Sequence, residues 1–334
     1  AEIVRASNLS DIHFIDPAKD IGEGLIGPKT SVNYIMALFL GILIPLLFVM
    51  VIFFINNSIQ NSEDINKLTQ IPLIGVIGLN KDSGSMAVFE KPKSALSESF
   101  RGIRSSLQFL YKKQQVSGSK TLMITSSISG EGKTFCSINI ATVFALSEKK
   151  TVIVGLDLRK PRLADEFQLK SPLGVVNYLI KQNNLEEITN STQIPNLDVI
   201  LSGPIPPNPS ELILSDAMKE LIGELKEKYD YIILDTPPVG LVADSLELVQ
   251  FADVTLYIER QNYTKKDMIT FLNTRLKRGE LNNVSIVLNG YENKAKYGSG
   301  YGYGYGYGAY SNGYHEEEVK NGFWKAFLNK IKKS

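Results

Sequence analysis

The chain has 334 residues, 43% hydrophobic and 21% charged, with 36 Lys and Arg against 35 Asp and Glu for a net charge of +1. So even a balance excludes a whole-molecule pull on nucleic acid, which is not expected as a partner, and leaves electrostatic recognition to local patches. The single cysteine, Cys136, excludes an intrachain disulfide, and His13 and His315 at opposite ends argue against a structural zinc site.

Residues 1–30 open without a methionine, in mid-phrase (AEIVRASNLSDIHFIDPA), and read as the remnant of an extracytoplasmic part of a longer protein. Asn33 to Ile55 is apolar and carries no charge. At a 1.5 Å rise it spans roughly 35 Å, against about 30 Å for a hydrocarbon core. Residues 31–56 are therefore expected to cross a membrane, Pro45 kinking the helix without forbidding it. Flanking charge does not orient the span; the nucleotide motif farther on does, putting the large C-terminal part in the cytoplasm.

Residues 57–92 are expected to be a juxtamembrane linker, with Ile71 to Gly78 either an edge strand or a packed stretch. A domain is expected over 93–290. It opens with a helix from Ala95 to about Lys112 whose apolar face carries Leu96, Phe100, Ile103, Leu107 and Leu110. Strands are then predicted at Thr121–Ser127, Thr151–Asp157, Leu197–Gly203, Tyr231–Asp235, Ala252–Arg260 and Asn283–Gly290. Helices are predicted from Thr134 to about Glu148, over VVNYLIKQ, from Ser210 to about Lys228, and over Lys265–Lys277. Apolar strands alternating with helices mean an α/β fold: a doubly wound, mainly parallel sheet of the P-loop NTPase type.

The stretch Ser126–Thr134 (SSISGEGKT) follows a strand and opens a helix, the context a phosphate-binding loop needs. Gly130 and Gly132 let the backbone wrap a phosphate, and the helix adds its positive end. Ser129, Gly130, Glu131, Gly132, Lys133, Thr134 and Phe135 are the expected nucleotide-binding run. In it Lys133 neutralises the β and γ phosphates of ATP, and the Thr134 hydroxyl ligates Mg²⁺. The usual first residue of such a loop is Gly or Ala; here it is Ser127. Asp235 and Asp157 each end a predicted strand, where a carboxylate can meet the loop and its metal. Thr134, Asp157 and Asp235 are thus the expected Mg²⁺ residues; Lys133, Asp157 and Asp235 are the expected catalytic ones.

The phosphate loop, VIVGLDLRKP, IILDTPP and GPIPPNPSEL together resemble the bacterial tyrosine kinases of the polysaccharide co-polymerase type. The resemblance covers roughly residues 1 to 315 and implies an inner-membrane protein-tyrosine autokinase that governs capsule or exopolysaccharide chain length and export. The family descends from deviant P-loop ATPases rather than from the eukaryotic kinase fold. Its second motif carries two acids as D-x-D; here Gly155 replaces the first, leaving Asp157 to act alone on metal and acceptor. In the family an E-x-x-R-x-x-R helix packs against the next subunit of a ring; Glu98, Arg101 and Arg104 match it and fall on one arc of about 120°. Asn289, in IVLNG, is expected by analogy to read the adenine edge.

From Tyr291 onward eight of the fifteen tyrosines are strung on glycine. Such a segment has nothing aliphatic to bury and must be solvated. Residues 291–315 are expected to be the autophosphorylation tail, with Tyr297, Tyr301, Tyr303, Tyr305, Tyr307, Tyr310 and Tyr314 as acceptors presented in trans to a neighbour. Charge added there is expected to open the ring. The resemblance further implies a cognate protein-tyrosine phosphatase and the polysaccharide polymerase and export machinery as partners. Residues 316–334 form a basic amphipathic end, read equally as a membrane-surface helix or a docking helix. Two other readings stay open: an ATP-switched assembly scaffold, and a structural subunit whose nucleotide site is silent.

Overall fold

The structure, a computed structural model, describes residues 30–55, 57–82, 84–240 and 244–292. Residues 1–29 of the remnant expected over 1–30, the seven acceptor tyrosines and the basic C-terminal stretch lie outside the described residues. The chain divides into two units, 1–56 and 57–334.

In the first unit, α1 (Thr30–Ile55) is one continuous helix with Pro45 inside it. It begins three residues ahead of the expected apolar run, because Thr30, Ser31 and Val32 complete its first turn. Over Thr30–Val51 the mean hydropathy is 2.7 and nothing is buried, so the helix is long and apolar enough to cross a membrane.

The second unit is an α/β sandwich. In chain order it contains α2 (Ser62–Leu68), β1 (Leu73–Gly78), α3 (Ala87–Glu90), α4 (Ala95–Lys113), β2 (Lys120–Ser126), α5 (Lys133–Ala145) and β3 (Thr151–Gly155). There follow α6 (Leu163–Glu166), α7 (Val175–Leu179), α8 (Leu185–Ile188), β4 (Thr189–Ser191), β5 (Leu197–Ile200), α9 (Pro209–Ile213) and α10 (Asp216–Lys228). The last elements are β6 (Tyr231–Asp235), α11 (Asp244–Leu248), β7 (Val254–Arg260), α12 (Lys266–Lys277) and β8 (Val284–Tyr291). One eight-stranded sheet runs β1-β8-β7-β2-β6-β3-β5-β4, parallel throughout except for β4 against β5.

Its central strands are apolar on both faces because helices cover both. On one side Phe100, Ile103 and Leu107 of α4 and Ile140 and Phe144 of α5 pack on Ile124, Ile153 and Ile233. On the other, Met218, Leu221 and Leu225 of α10 and Ile269 and Leu272 of α12 pack on Met123, Val154 and Leu234. The register sets Ile124 beside Asp235, and Asp235 beside Gly155. The carboxyl ends of β2, β6 and β3 therefore open at one place, where ligands of parallel sheets bind.

Three expectations change. Residues 57–70 are not a free linker, since Ile59 and Ile65 are fully buried, whereas Ile71–Gly78 follows one of its two expected forms, with β1 the edge strand beside β8. The helix expected from Ser210 to Lys228 is two helices, because Ser215 takes an extended conformation (φ −69°, ψ 156°) that ends one and starts the next. Finally, β3 stops at Gly155, so Asp157 stands in the following loop rather than on a strand end.

Candidate active site: a phosphate loop and its braces

The loop between β2 and α5 is shaped by two glycines in the left-handed region, Gly130 at φ 90° and Gly132 at φ 95°. Gly132 has a second reason to lack a side chain, since a Cβ there would stand 2.1 Å from Asn289 Nδ2. That amide nitrogen donates to the Glu131 carbonyl at 2.8 Å. Asn289 thus holds the loop backbone from β8 with one of the two protons on its Nδ2.

Lys133 opens α5 and is only 8% exposed. Burial pushes its pKa down, while the carboxylates of Asp235, Asp157 and Glu131 act in the opposite sense. Asp235, at the end of β6, is buried and accepts from Thr134 Oγ1 at 2.9 Å and from Ser137 Oγ at 3.0 Å. Burial pushes its pKa up to about 6 against the lowering effect of those hydroxyls and of Lys133, so it is ionised at neutral pH. Hydroxyl and carboxylate thus meet at one point beside a nearly buried ammonium. This donor set fits a polyphosphate with a hard cation.

Glu131 turns its carboxylate into the protein, accepting from Ile128 N at 2.9 Å and from the Thr264 hydroxyl. Burial raises its pKa, and the hydrogen bonds oppose the rise. Its side chain locks the loop, leaving its backbone N–H as the group a phosphate can use. Phe135 packs edge-on against Phe100 of α4, with ring centroids 5.8 Å apart.

Further braces come from the end of β7 and the turn after it, none of them singled out by the sequence. Arg260 Nη1 donates to the Gly130 carbonyl and Tyr263 Oη to the Ser129 carbonyl, both at 2.9 Å. They lie 130 and 134 residues away in the chain, and no motif marks them.

Asp157 caps its own turn, accepting from Arg159 N at 3.3 Å and Lys160 N at 3.0 Å. Its charge reaches both Lys133 and Asp235. Gly155 is filled around: a Cβ would meet Ser202 Oγ at 2.9 Å and Leu163 Cδ1 at 3.1 Å. Ser202 Oγ instead donates to the Gly155 carbonyl at 2.9 Å, so the space where a first acid would begin is already occupied.

On α4, Glu98 is exposed and pairs with Arg101 at 2.7 Å, and Arg101 also donates to the Pro92 carbonyl. Arg104, on the same arc, also bonds within the chain. Its Nη1 donates to the Val143 carbonyl at 2.9 Å, in the last turn of α5.

A sequence model of the AAA domain matches residues 119–284, which run from β2 into β8. The chain is 36% identical over 219 residues to the tyrosine-protein kinase YwqD of Bacillus subtilis, covering 64% of this chain and 91% of that one. The chain belongs to the bacterial tyrosine-protein kinases. The kinase also matches the crystal structure of the chimerical protein CapA2B2, at 34% identity and a TM-score of 0.64, over 70% of this chain and 100% of that one. Against tyrosine-protein kinase wzc of Salmonella typhimurium the identity is 28% over 312 residues, 88% of this chain but 43% of that protein. The matched AAA domain implies that the kinase binds nucleotide.

Proposed function

We propose that this kinase transfers the γ-phosphoryl group of ATP to tyrosines of the 291–315 tail of a neighbouring copy. The observation that carries the proposal is the convergence of Lys133, Thr134 and Asp235 at one sheet edge, with Asp157 a turn away. In phosphoryl transfer, positioning and charge neutralisation do most of the work. The 129–134 backbone and Lys133 hold the phosphates. Thr134, Asp235 and Asp157 would hold Mg²⁺, which neutralises charge building on the phosphates. Asp157, on the solvated side, takes the phenol proton from the incoming tyrosine.

The exposed Glu98–Arg101 pair supports α4 as the face turned toward the next subunit of a ring, Arg104 fixing that helix to α5. Helix α1 supports anchoring in the bacterial inner membrane with the second unit in the cytoplasm. Membership of this family supports a role in capsule or exopolysaccharide production and chain length. A cognate phosphatase and the polysaccharide export machinery complete the proposed partners.

The test is incubation of the full chain with labelled ATP and Mg²⁺, followed by mass spectrometry of residues 291–314. Label there, lost in Lys133→Met, is the expected result. Phosphate released to water with no label on the tail would favour an ATP-switched scaffold instead.

A further inference from the structure

Among the described tyrosines of the second unit, Tyr263 alone is exposed, at 42%. The others are buried in the core or half-buried; Tyr229, for one, donates to Asp198 at 2.9 Å. Tyr263 stands on the turn between β7 and α12, next to Asn262 in the left-handed region at φ 56°. Its hydroxyl does not point idly into solvent: it donates to the Ser129 carbonyl at 2.9 Å. Its ring lies 5.5 Å from the Arg260 guanidinium, which itself holds the Gly130 carbonyl. An accessible phenol is thus fastened to the phosphate loop of an enzyme whose product is phosphotyrosine.

We propose that Tyr263 is a second phosphoacceptor, modified by another copy of this kinase, and that its phosphate loosens the nucleotide site. The inference rests on the trans-phosphorylation reading above. Tyr263 meets the carbonyl side of residues 129 and 130, whereas phosphates bind on the amide side of such a loop. Its own γ-phosphate is therefore across the loop from it, and the donor is a second subunit. In the transfer the phenol oxygen bonds to Pγ, the bridging β–γ bond breaks, and ADP departs. The phenol proton goes to a carboxylate of the donating subunit.

Phosphorylation acts on the loop through both of its outer braces. A phosphate ester has no proton to give the Ser129 carbonyl. It brings about −1.5 to −2 charges beside the loop. Arg260 is the cation already at hand, and a guanidinium prefers a phosphate to a neutral carbonyl, so pairing draws it off Gly130. The two outer braces therefore release together. The inner ones, Thr264 and Asn289 on Glu131, stay in place and keep the fold.

The experiment uses the full chain with ATP and Mg²⁺, a heavy-isotope Lys133→Met chain as acceptor, phosphopeptide mass spectrometry, and titration with a non-hydrolysable ATP analogue before and after reaction. Phosphate at Tyr263 of the heavy chain is expected. Reacted wild type should bind the analogue about tenfold more weakly than before reaction, the scale of losing one or two hydrogen bonds and gaining a like charge. A tyrosine phosphatase should restore it. Tyr263→Phe, whatever its starting affinity, should show no change on reaction to the same tail label. Tail label without phosphate at Tyr263, or phosphate there without a change in affinity, overturns the inference and leaves the tail reading standing. Absence of label at every tyrosine overturns both.

Discussion

Two loops flank β6 at the same edge of the sheet, and they are held in opposite ways. Residues 127–132 are bonded from within by Glu131 and from without by Asn289, Arg260, Tyr263 and Thr264. Residues 156–162 are anchored at their start, where Leu156 and Leu158 are buried and Leu156 N donates to the Asp235 carbonyl, but Asp157 caps its own turn and Arg159, Lys160 and Arg162 beyond it are exposed. The first loop arrives preorganised, so nucleotide binding does not have to order it. The second leaves room, which a foreign tyrosine needs in order to approach. The division assigns rigidity to the donor side and access to the acceptor side.

The strongest challenge to that division is Lys133→Met, expected to lower tail labelling by at least about 10³-fold through loss of phosphate neutralisation. On the open side, Asp157→Asn should cost about 10²-fold in kcat, the range of a lost general base. It should leave analogue binding nearly intact, and an equal loss of affinity would erase the distinction between the loops. Asp235 belongs to the closed side. Its pKa, pushed up to about 6, predicts that kcat/KM falls as pH drops through that value, by about tenfold per unit, as its carboxylate takes a proton. A flat profile down to pH 5 would show that Asp235 does not take up a proton in that range. Gly155→Asp, which restores the family's first acid, should destabilise by about 1–3 kcal/mol through overpacking on Ser202. Adding Ser202→Gly should recover part of the loss in a urea titration.

The smallest effect on catalysis is expected from Glu259 of β7, buried with neither carboxylate oxygen hydrogen-bonded. Burial first, and the charge of Glu131 second, raise its pKa to about 8 from 4.5. A folded pKa above the unfolded one stabilises at low pH and loses that stabilisation as pH climbs from 4.5 through 8, by about 1.4 kcal/mol per unit. Glu259→Gln should flatten the decline between pH 6 and 8. Identical slopes for variant and wild type would show that Glu259 does not titrate in that window.

The sequence makes the parallel sheet legible because each central strand is a short apolar run between helices, and it exposes the phosphate loop because all its chemistry lies within nine consecutive residues. Asp235 can be found from its place after YIIL. What stays hidden depends on distance along the chain. Arg260, which ends β7, and Tyr263 and Thr264 in the turn after it are ordinary residues until β7 is paired beside β2. Arg104 matches the spacing of an intersubunit face, and nothing in that spacing announces its bond to the Val143 carbonyl of α5. The missing acid at Gly155 reads as a bare deletion, and only the packing of Ser202 reveals that the space is filled. Ile59 and Ile65 do not announce their burial, since two isoleucines among polar residues are too few to mark a periodicity.

The edge pairing of β1 with β8 has a mechanical consequence. Helix α1 precedes β1, and the tail follows β8; the two strands run parallel. If the helix is anchored and the tail captured as proposed, tension that passes the buried Ile59 and Ile65 would pull β1 from its start and β8 from its end. That geometry loads their hydrogen bonds in shear, all at once, rather than peeling them one by one. A tail gripped by another subunit could be tugged without unravelling the sheet that presents it.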